Sequence, residues 1–245
     1  AILIPMEYNY TAIVIRKKEI GETDRLYTFY TFEAGKIQAI GKGARKPKAK
    51  LAGHLETLNR LDLIVARRHG LGNIASAVAE EYLTSLKADE ASLRIVLGAL
   101  GKFERLVGLE ERDRELFALL QQYLELADRL ARDGQVYHVR LVTIGFLFQV
   151  LAHLGYRADL GRCAVSGERL EIGKRYCFAP GLGGVVAMEH AREVRPAIPV
   201  SANAIKIIRM FLQNRLSSLV KLRADDDTLN QADRVLQSFL VWILQ

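Results

Sequence analysis

Five short runs of β-branched and aromatic residues follow one another in the first third of the chain, with glycines in the breaks between them. Runs of this length and composition are typical of strands. The predicted strands are Tyr10–Arg16, Arg25–Phe32, Lys36–Ile40, Leu58–Arg67 and Ile74–Glu81. Because the strands are short and close together, they predict a small closed barrel such as an OB-fold.

From about Ala91 onward the apolar residues recur every three or four positions, which indicates helices. The predicted helices are Leu93–Val107, Leu116–Leu130, Gln135–Leu154, one capped by Ser201 that runs to Leu212, and one capped by Thr228 that runs to Leu244. The pattern therefore predicts an α+β chain. An OB-fold nucleic-acid-binding domain would occupy residues 1–82 and a helical domain residues 83–245.

Residues 161–199 interrupt the helical pattern with glycines and prolines, and we expect an irregular insertion there. The insertion contains Cys163, Cys177 and His190, while Ser166 stands where the second thiolate of a CxxC pair would be. A structural zinc ion needs four such ligands, commonly as two CxxC pairs. We therefore predict a degenerate zinc-ribbon-like segment with two packed thiols and no metal ion.

The composition is that of an ordinary globular protein, with 245 residues, 50% of them apolar, and a net charge of +7. No apolar run reaches the ~18–20 residues that span a bilayer, and the longest, Leu141–Ala152, is predicted to be a buried helix. Ala1–Pro5 lacks the features of a secretory signal, so Met6 could be the natural start. The two cysteines cannot form a disulfide framework, which favours a reducing cytoplasm.

The positive charge is concentrated after the third predicted strand. Between Lys42 and Lys50 the chain carries five cationic side chains and no acid, while Gly41, Gly43 and Pro47 prevent a regular helix. A solvated basic loop is the simplest interpretation of such a cluster. A polyanion such as a phosphate backbone would relieve its self-repulsion.

Other cations flank the predicted strands, and in a barrel several could join the loop along one groove. As a group, they favour nucleic acid as the ligand. The candidate nucleic-acid-binding residues are Arg16, Lys17, Arg25, Lys36, Lys42, Arg45, Lys46, Lys48, Lys50, Arg67 and Arg68.

Four aromatic rings, Tyr27, Phe29, Tyr30 and Phe32, alternate along the second predicted strand. One face of that strand must be core, and the other could stack bases at ~1–3 kcal/mol each. The sequence does not fix which face is exposed. For each single ring, the core is the better prediction.

No set of residues predicts catalysis. The five histidines are scattered, and neither cysteine lies in a context that would activate it. Paired acids such as Glu80–Glu81 look like solvated ends of elements rather than a metal cage. We therefore predict no enzyme activity, no catalytic residue and no cofactor.

Short motifs along nearly the whole chain resemble one known family in the same order. The N-terminal motifs are Ile13–Arg16, Gly21–Leu26, Thr31, Gly35–Lys36 and Lys42–Arg45. The C-terminal motifs are Leu154–Tyr156, Asp159–Leu160, Cys163, Ser166–Gly167 and Gly183–Gly184. On these residues the chain resembles the bacterial recombination mediator family RecO.

The resemblance implies a non-enzymatic protein of DNA repair and homologous recombination, cytoplasmic and associated with the nucleoid. Members of that family bind single- and double-stranded DNA and anneal complementary strands. With RecR, they help load RecA onto DNA coated with single-strand-binding protein. Many members carry a four-cysteine zinc site. Only Cys163 of its first pair is present here, so the resemblance implies the metal-free branch of the family.

Two other functions stay open from the sequence. The helical part is larger than a DNA groove requires, which suits a protein-interaction scaffold with incidental DNA contact. An OB-type RNA-binding accessory factor would carry a similar basic loop.

Overall fold

The computed structural model describes residues 6–46, 51–68, 70–171 and 173–245. The chain divides into two compact units, Ala1–Arg132 and Asp133–Gln245. A five-stranded barrel comes first and the described helices follow it, so the predicted α+β order is confirmed.

The barrel consists of β1 (Met6–Ile20), β2 (Asp24–Thr31), β3 (Gly35–Gly41), β4 (Arg60–Arg67) and β5 (Gly72–Glu81). The strands close in the order β1-β2-β3-β5-β4, as an OB-fold does. β1 is longer than the predicted strand, because its first half pairs with β4 and its second half with β2. A register shift between Val14 and Arg16 marks a bulge, where the strand can bend between its two partners.

Alternate residues of the strands fill the barrel. Tyr27, Phe29 and Ala39 are fully buried, and they form one cluster with Leu61 and Leu63. This is the period of two that a strand with one buried face requires. The apolar residues that predicted the strands therefore also form the barrel core.

Three helices complete the first unit: α1 (Thr84–Ala88), α2 (Glu90–Leu106) and α3 (Arg114–Arg132). The Asp89 carboxylate caps α2 by accepting a 3.1 Å hydrogen bond from the Ser92 N–H. The first compact unit thus extends past β5 to the end of α3. The predicted boundary between the OB-fold domain and the helical domain, after residue 82, stays a prediction.

The second unit contains α4 (Val136–His153), α5 (Ala202–Gln213), α6 (Leu216–Leu219) and α7 (Asp226–Ile243). Among the described residues, α4 is the one helix long and apolar enough to be considered as a membrane span. However, 61% of it is buried inside the fold, as in a core helix. The prediction of a buried central helix agrees with this packing.

A small sheet lies in the insertion of the second unit. Its strands are β6 (Tyr176–Ala179), β7 (Gly184–Ala187) and β8 (Ile198–Val200), in the order β7-β6-β8. The zinc-ribbon-like character of residues 161–199 stays a prediction.

The two predicted helix caps have different outcomes. The Ser201 hydroxyl accepts a 3.2 Å hydrogen bond from the Ala204 N–H, so the predicted cap of α5 is confirmed. The predicted cap of α7 is wrong, because Thr228 lies inside the first turn. There its N–H donates a 2.7 Å hydrogen bond to the Asp225 carboxylate, which caps the helix.

Candidate nucleic-acid interface

The turn after β3 is held against the turn that joins β1 to β2. Gly43 adopts a left-handed φ of 64°, and its N–H donates a 2.8 Å hydrogen bond to the Asp24 carboxylate. The Arg45 N–H donates to the Thr23 carbonyl at 2.9 Å. Ala44 is buried between these contacts, whereas Lys42, Arg45 and Lys46 are exposed. We call these three cations the basic turn.

Lys42 and Lys46 differ from Arg45 in their contacts with acidic groups. Neither makes an ion pair with a carboxylate of the residues that the structure describes. Both lower the pKa of Asp24, although the Gly43 N–H and the Thr23 hydroxyl lower it more. Lys48 and Lys50, also predicted to bind nucleic acid, lie outside the described residues.

Glu19 partly neutralises Arg45 of the basic turn and the neighbouring Arg25. Its carboxylate lies 3.4 Å from the Arg45 guanidinium and 3.8 Å from that of Arg25. Glu19 and Arg25 are paired across β1 and β2, so the register of the strands sets this contact. The Glu19 side chain is 59% exposed, which keeps the interaction weak and sensitive to salt.

Several other predicted cations are paired with acids that lie far away in the sequence. Arg16 lies 3.4 Å from Glu104, and Lys17 makes an ion pair with Glu56. Lys36 donates a 2.7 Å hydrogen bond to the Glu104 carbonyl, and burial lowers the pKa of its ammonium group. These contacts leave the three side chains less available to a phosphate than Lys42 and Lys46 are.

Arg67 lies on β4, opposite Met6, the first residue of β1. Ala66 and Ile40 are both paired with Asn73 of β5, so Arg67 lies two strands away from the end of β3. Arg67 makes an ion pair with Glu110, and Arg68 directly follows it. The ion pair leaves Arg67 less available to a phosphate than Lys42 and Lys46 are.

The aromatic rings of β2 are buried on both faces. Tyr27 and Phe29 lie in the barrel core. On the outer face, Tyr30 is 1% exposed and meets the Phe103 ring of α2 edge to face at 4.9 Å. The core interpretation is thus correct for these three rings, and none of them is exposed for stacking on a base.

Phe32, the fourth of the predicted rings, directly follows β2 and is partly covered as well. Phe32 is half-buried and packs edge to face on Phe117 of α3 at 5.7 Å, and the Arg114 guanidinium lies 4.7 Å from its centre. The face of β2 and β3 that binds ligands in many OB-folds is therefore partly covered by α2 and α3. The signal in the sequence was the apolar face of α2, which needs a partner surface.

In the insertion of the second unit, the two thiols are buried. Burial alone would raise the pKa of Cys163, but hydrogen bonds from Ser166, Ala187 and Val165 lower it to about 7. Burial raises the pKa of Cys177, and its sulfur lies 3.5 Å from the Met188 sulfur.

His190, the third predicted ligand candidate, is hydrogen-bonded to Glu193 at 2.8 Å. Within the described ranges, no group of three or more His, Cys, Asp or Glu side chains could hold a metal ion. The absence of a zinc ion nevertheless stays a prediction.

The closed five-stranded barrel followed by a helical unit places the chain in the class of OB-fold proteins with an added helical domain. Family models give a closer assignment: Recombination protein O N terminal matches residues 6–82, and Recombination protein O C terminal matches residues 103–245. The chain therefore belongs to the Recombination protein O (RecO) family, whose role lies in DNA repair and recombination.

Individual relatives agree with the family models. The chain is 27% identical to the DNA repair protein RecO of Dehalococcoides mccartyi strain CBDB1, over 98% of this chain and 92% of the relative. It is 30% identical to the DNA repair protein RecO of Desulfitobacterium hafniense strain DCB-2, over 88% and 77%. It is 29% identical to that of Roseiflexus sp. strain RS-1, over 97% and 81%.

Proposed function

We propose that this protein is a non-enzymatic recombination mediator of the RecFOR pathway. It binds single- and double-stranded DNA, anneals complementary strands, and with RecR helps load RecA onto DNA coated with single-strand-binding protein. It acts in the cytoplasm, at the nucleoid. Membership of the RecO family supports this proposal, since the relatives are DNA repair proteins.

The observation that carries DNA binding is the basic turn. Lys42 and Lys46 are exposed on a turn fixed by backbone hydrogen bonds, and no described carboxylate pairs with them. A phosphate backbone bound there would release condensed counterions, which is the main source of sequence-independent affinity.

The buried rings of β2 support binding through the phosphates rather than through the bases. With Tyr30 packed under α2, the strand offers that ring neither for stacking nor for reading a sequence. A site that contacts phosphates alone accepts both single strands and duplexes. That tolerance is what a protein that anneals two strands needs.

The test is a charge reversal in the full-length chain, Lys42→Glu together with Lys46→Glu. We expect weaker binding to a labelled single strand, and a slope of log affinity against log salt that is smaller by about 1.4, at about 0.7 per lost phosphate contact. The matched control is Arg94→Glu with Arg129→Glu, which changes the net charge equally at exposed positions of α2 and α3. Equal affinity in the two variants would refute the role of the basic turn.

A protein-interaction scaffold remains the second candidate, and exposed apolar side chains in the second unit favour it. Tyr156 is 47%, Leu182 is 49% and Trp242 is 46% exposed, and large apolar residues gathered on one surface often mark an interaction site. These residues line a cavity of about 500 Å³. If docking is the main role, reversing Lys42 and Lys46 will leave RecA loading intact in a reconstituted assay, whereas the mediator proposal expects a loss.

A further inference from the structure

A cavity of about 390 Å³ opens in the second unit beside α5. Its other wall is the segment that joins α6 to α7. The floor is apolar, since Ile207 is buried and Met210 and Leu222 are half-buried. The cavity can therefore take a ligand that has a flat or apolar part.

Three exposed cations, Lys206, Lys221 and Arg223, line this cavity. Across residues 6–46, 51–68, 70–171 and 173–245, no carboxylate makes an ion pair with any of them. They differ in this respect from Arg25 and Arg45 in the first unit, which share Glu19.

One carboxylate also lines the cavity. Asp225 caps α7 and accepts the Thr228 N–H at 2.7 Å, and this hydrogen bond lowers its pKa. Three cations and one anion leave the lining with an excess positive charge. An anionic ligand is therefore favoured over a neutral or cationic one.

We propose that this cavity binds a phosphodiester group of a nucleic-acid strand, with the adjoining sugar or base against the apolar floor. Its volume lies in the range of ~300–1,000 Å³ that is usual for sites that hold small molecules. The cations supply the phosphate contacts, and the floor excludes water from the rest of the nucleotide. This site goes beyond the proposed function, which assigns DNA contact to the first unit. One chain then has two separate contacts with nucleic acid.

The test uses the full chain and a 20-nucleotide oligothymidylate with a fluorescent label. The variant is Lys221→Glu with Arg223→Glu, and the control is Arg192→Glu with Arg215→Glu, which places the same charge change on exposed residues that do not line the cavity. We expect about tenfold weaker binding in the variant, and a salt slope that is smaller by about 0.7, the value for one phosphate of a single strand. The control should bind like the parent chain.

A second measurement needs no variant. Acetylation of lysines by a water-soluble reagent, read by mass spectrometry, should be slowed at Lys206 and Lys221 by the oligothymidylate, and not at Lys174. Equal acetylation with and without DNA, or equal affinity of variant and control, would overturn the proposal. Protection by polyglutamate but not by DNA would also overturn it, and would assign the cavity to an acidic peptide. Neither measurement changes Lys42 or Lys46. A negative result for the basic turn therefore leaves the test of this cavity unaffected.

Discussion

The Gly43 N–H donates a 2.8 Å hydrogen bond to the Asp24 carboxylate, and this contact fixes the turn after β3 to the start of β2. The same hydrogen bond is the main cause that lowers the pKa of Asp24 below its ordinary value of 3.8. Because the folded pKa is the lower one, the carboxylate stabilises the fold at neutral pH. That stabilisation is lost as the pH falls through 3.8 towards the folded value.

Replacing Asp24 should therefore loosen the basic turn. In Asp24→Ala we expect faster hydrogen exchange at the Gly43 and Arg45 amides, measured by mass spectrometry or NMR at neutral pH. The control is Glu22→Ala in the adjacent exposed turn. The parent chain should show the same loosening as the pH falls below about 4, relative to an unstructured peptide. Unchanged protection in Asp24→Ala would contradict this role of the carboxylate.

Removing the charge of Glu19 should strengthen DNA binding. Glu19→Gln frees Arg25 and Arg45 from their shared carboxylate, so two more cations can reach phosphates. Salt titrations with single strands should give a slope that is steeper by up to about 1.4. Glu22→Gln changes the net charge equally without freeing either arginine, so the same increase in that control would show a general charge effect instead.

Truncating Tyr30 should destabilise the first unit by about 3–5 kcal/mol, as large-to-small changes of buried aromatic residues do. Tyr30→Phe keeps the ring between Phe103 and Phe117 and should cost less than about 1.5 kcal/mol. Urea unfolding measures both changes. A Tyr30→Ala protein that keeps its stability but loses DNA affinity would instead make this ring a base-stacking group.

Two glycine-to-alanine substitutions should change the free energy of unfolding in opposite directions. Gly35 has a φ of 68°, and a Cβ there would lie 1.9 Å from the Glu111 carbonyl oxygen, so Gly35→Ala should lose at least about 2 kcal/mol. Gly98 lies in α2 with nothing within 4 Å of its Cβ position, so Gly98→Ala should gain about 0.5–1 kcal/mol. Thermal unfolding of both variants decides the signs, and a stabilised Gly35→Ala protein would contradict the close approach.

The strands and most of the helices could be predicted because their signals are local. Periods of two and of three to four residues, and the serine before α5, depend on neighbours in sequence. The cap of α7 was missed because Asp225 and Thr228 are both good cap residues. Which of the two residues is the cap depends on where the helix begins, and α7 begins at Asp226, directly after Asp225.

The availability of the cations could not be predicted, because it depends on distant partners. Glu104 lies 88 residues after Arg16, and Glu110 lies 43 residues after Arg67. The burial of Tyr30 likewise depends on α2 folding back onto β2. Which cations stay exposed is thus a property of the tertiary structure, and the eleven sequence candidates remain predictions for DNA contact.

The contact of Tyr30 with Phe103 has a practical consequence for the choice of truncated fragments. The barrel ends at β5, but its outer face is covered by residues of α2 and α3. A fragment that ends at Tyr82 lacks Phe103 and Phe117, so the Tyr30 ring would be exposed to water and the fragment would tend to aggregate. A soluble N-terminal fragment should therefore extend to Arg132, and negative results from shorter pieces would reflect insolubility rather than missing function.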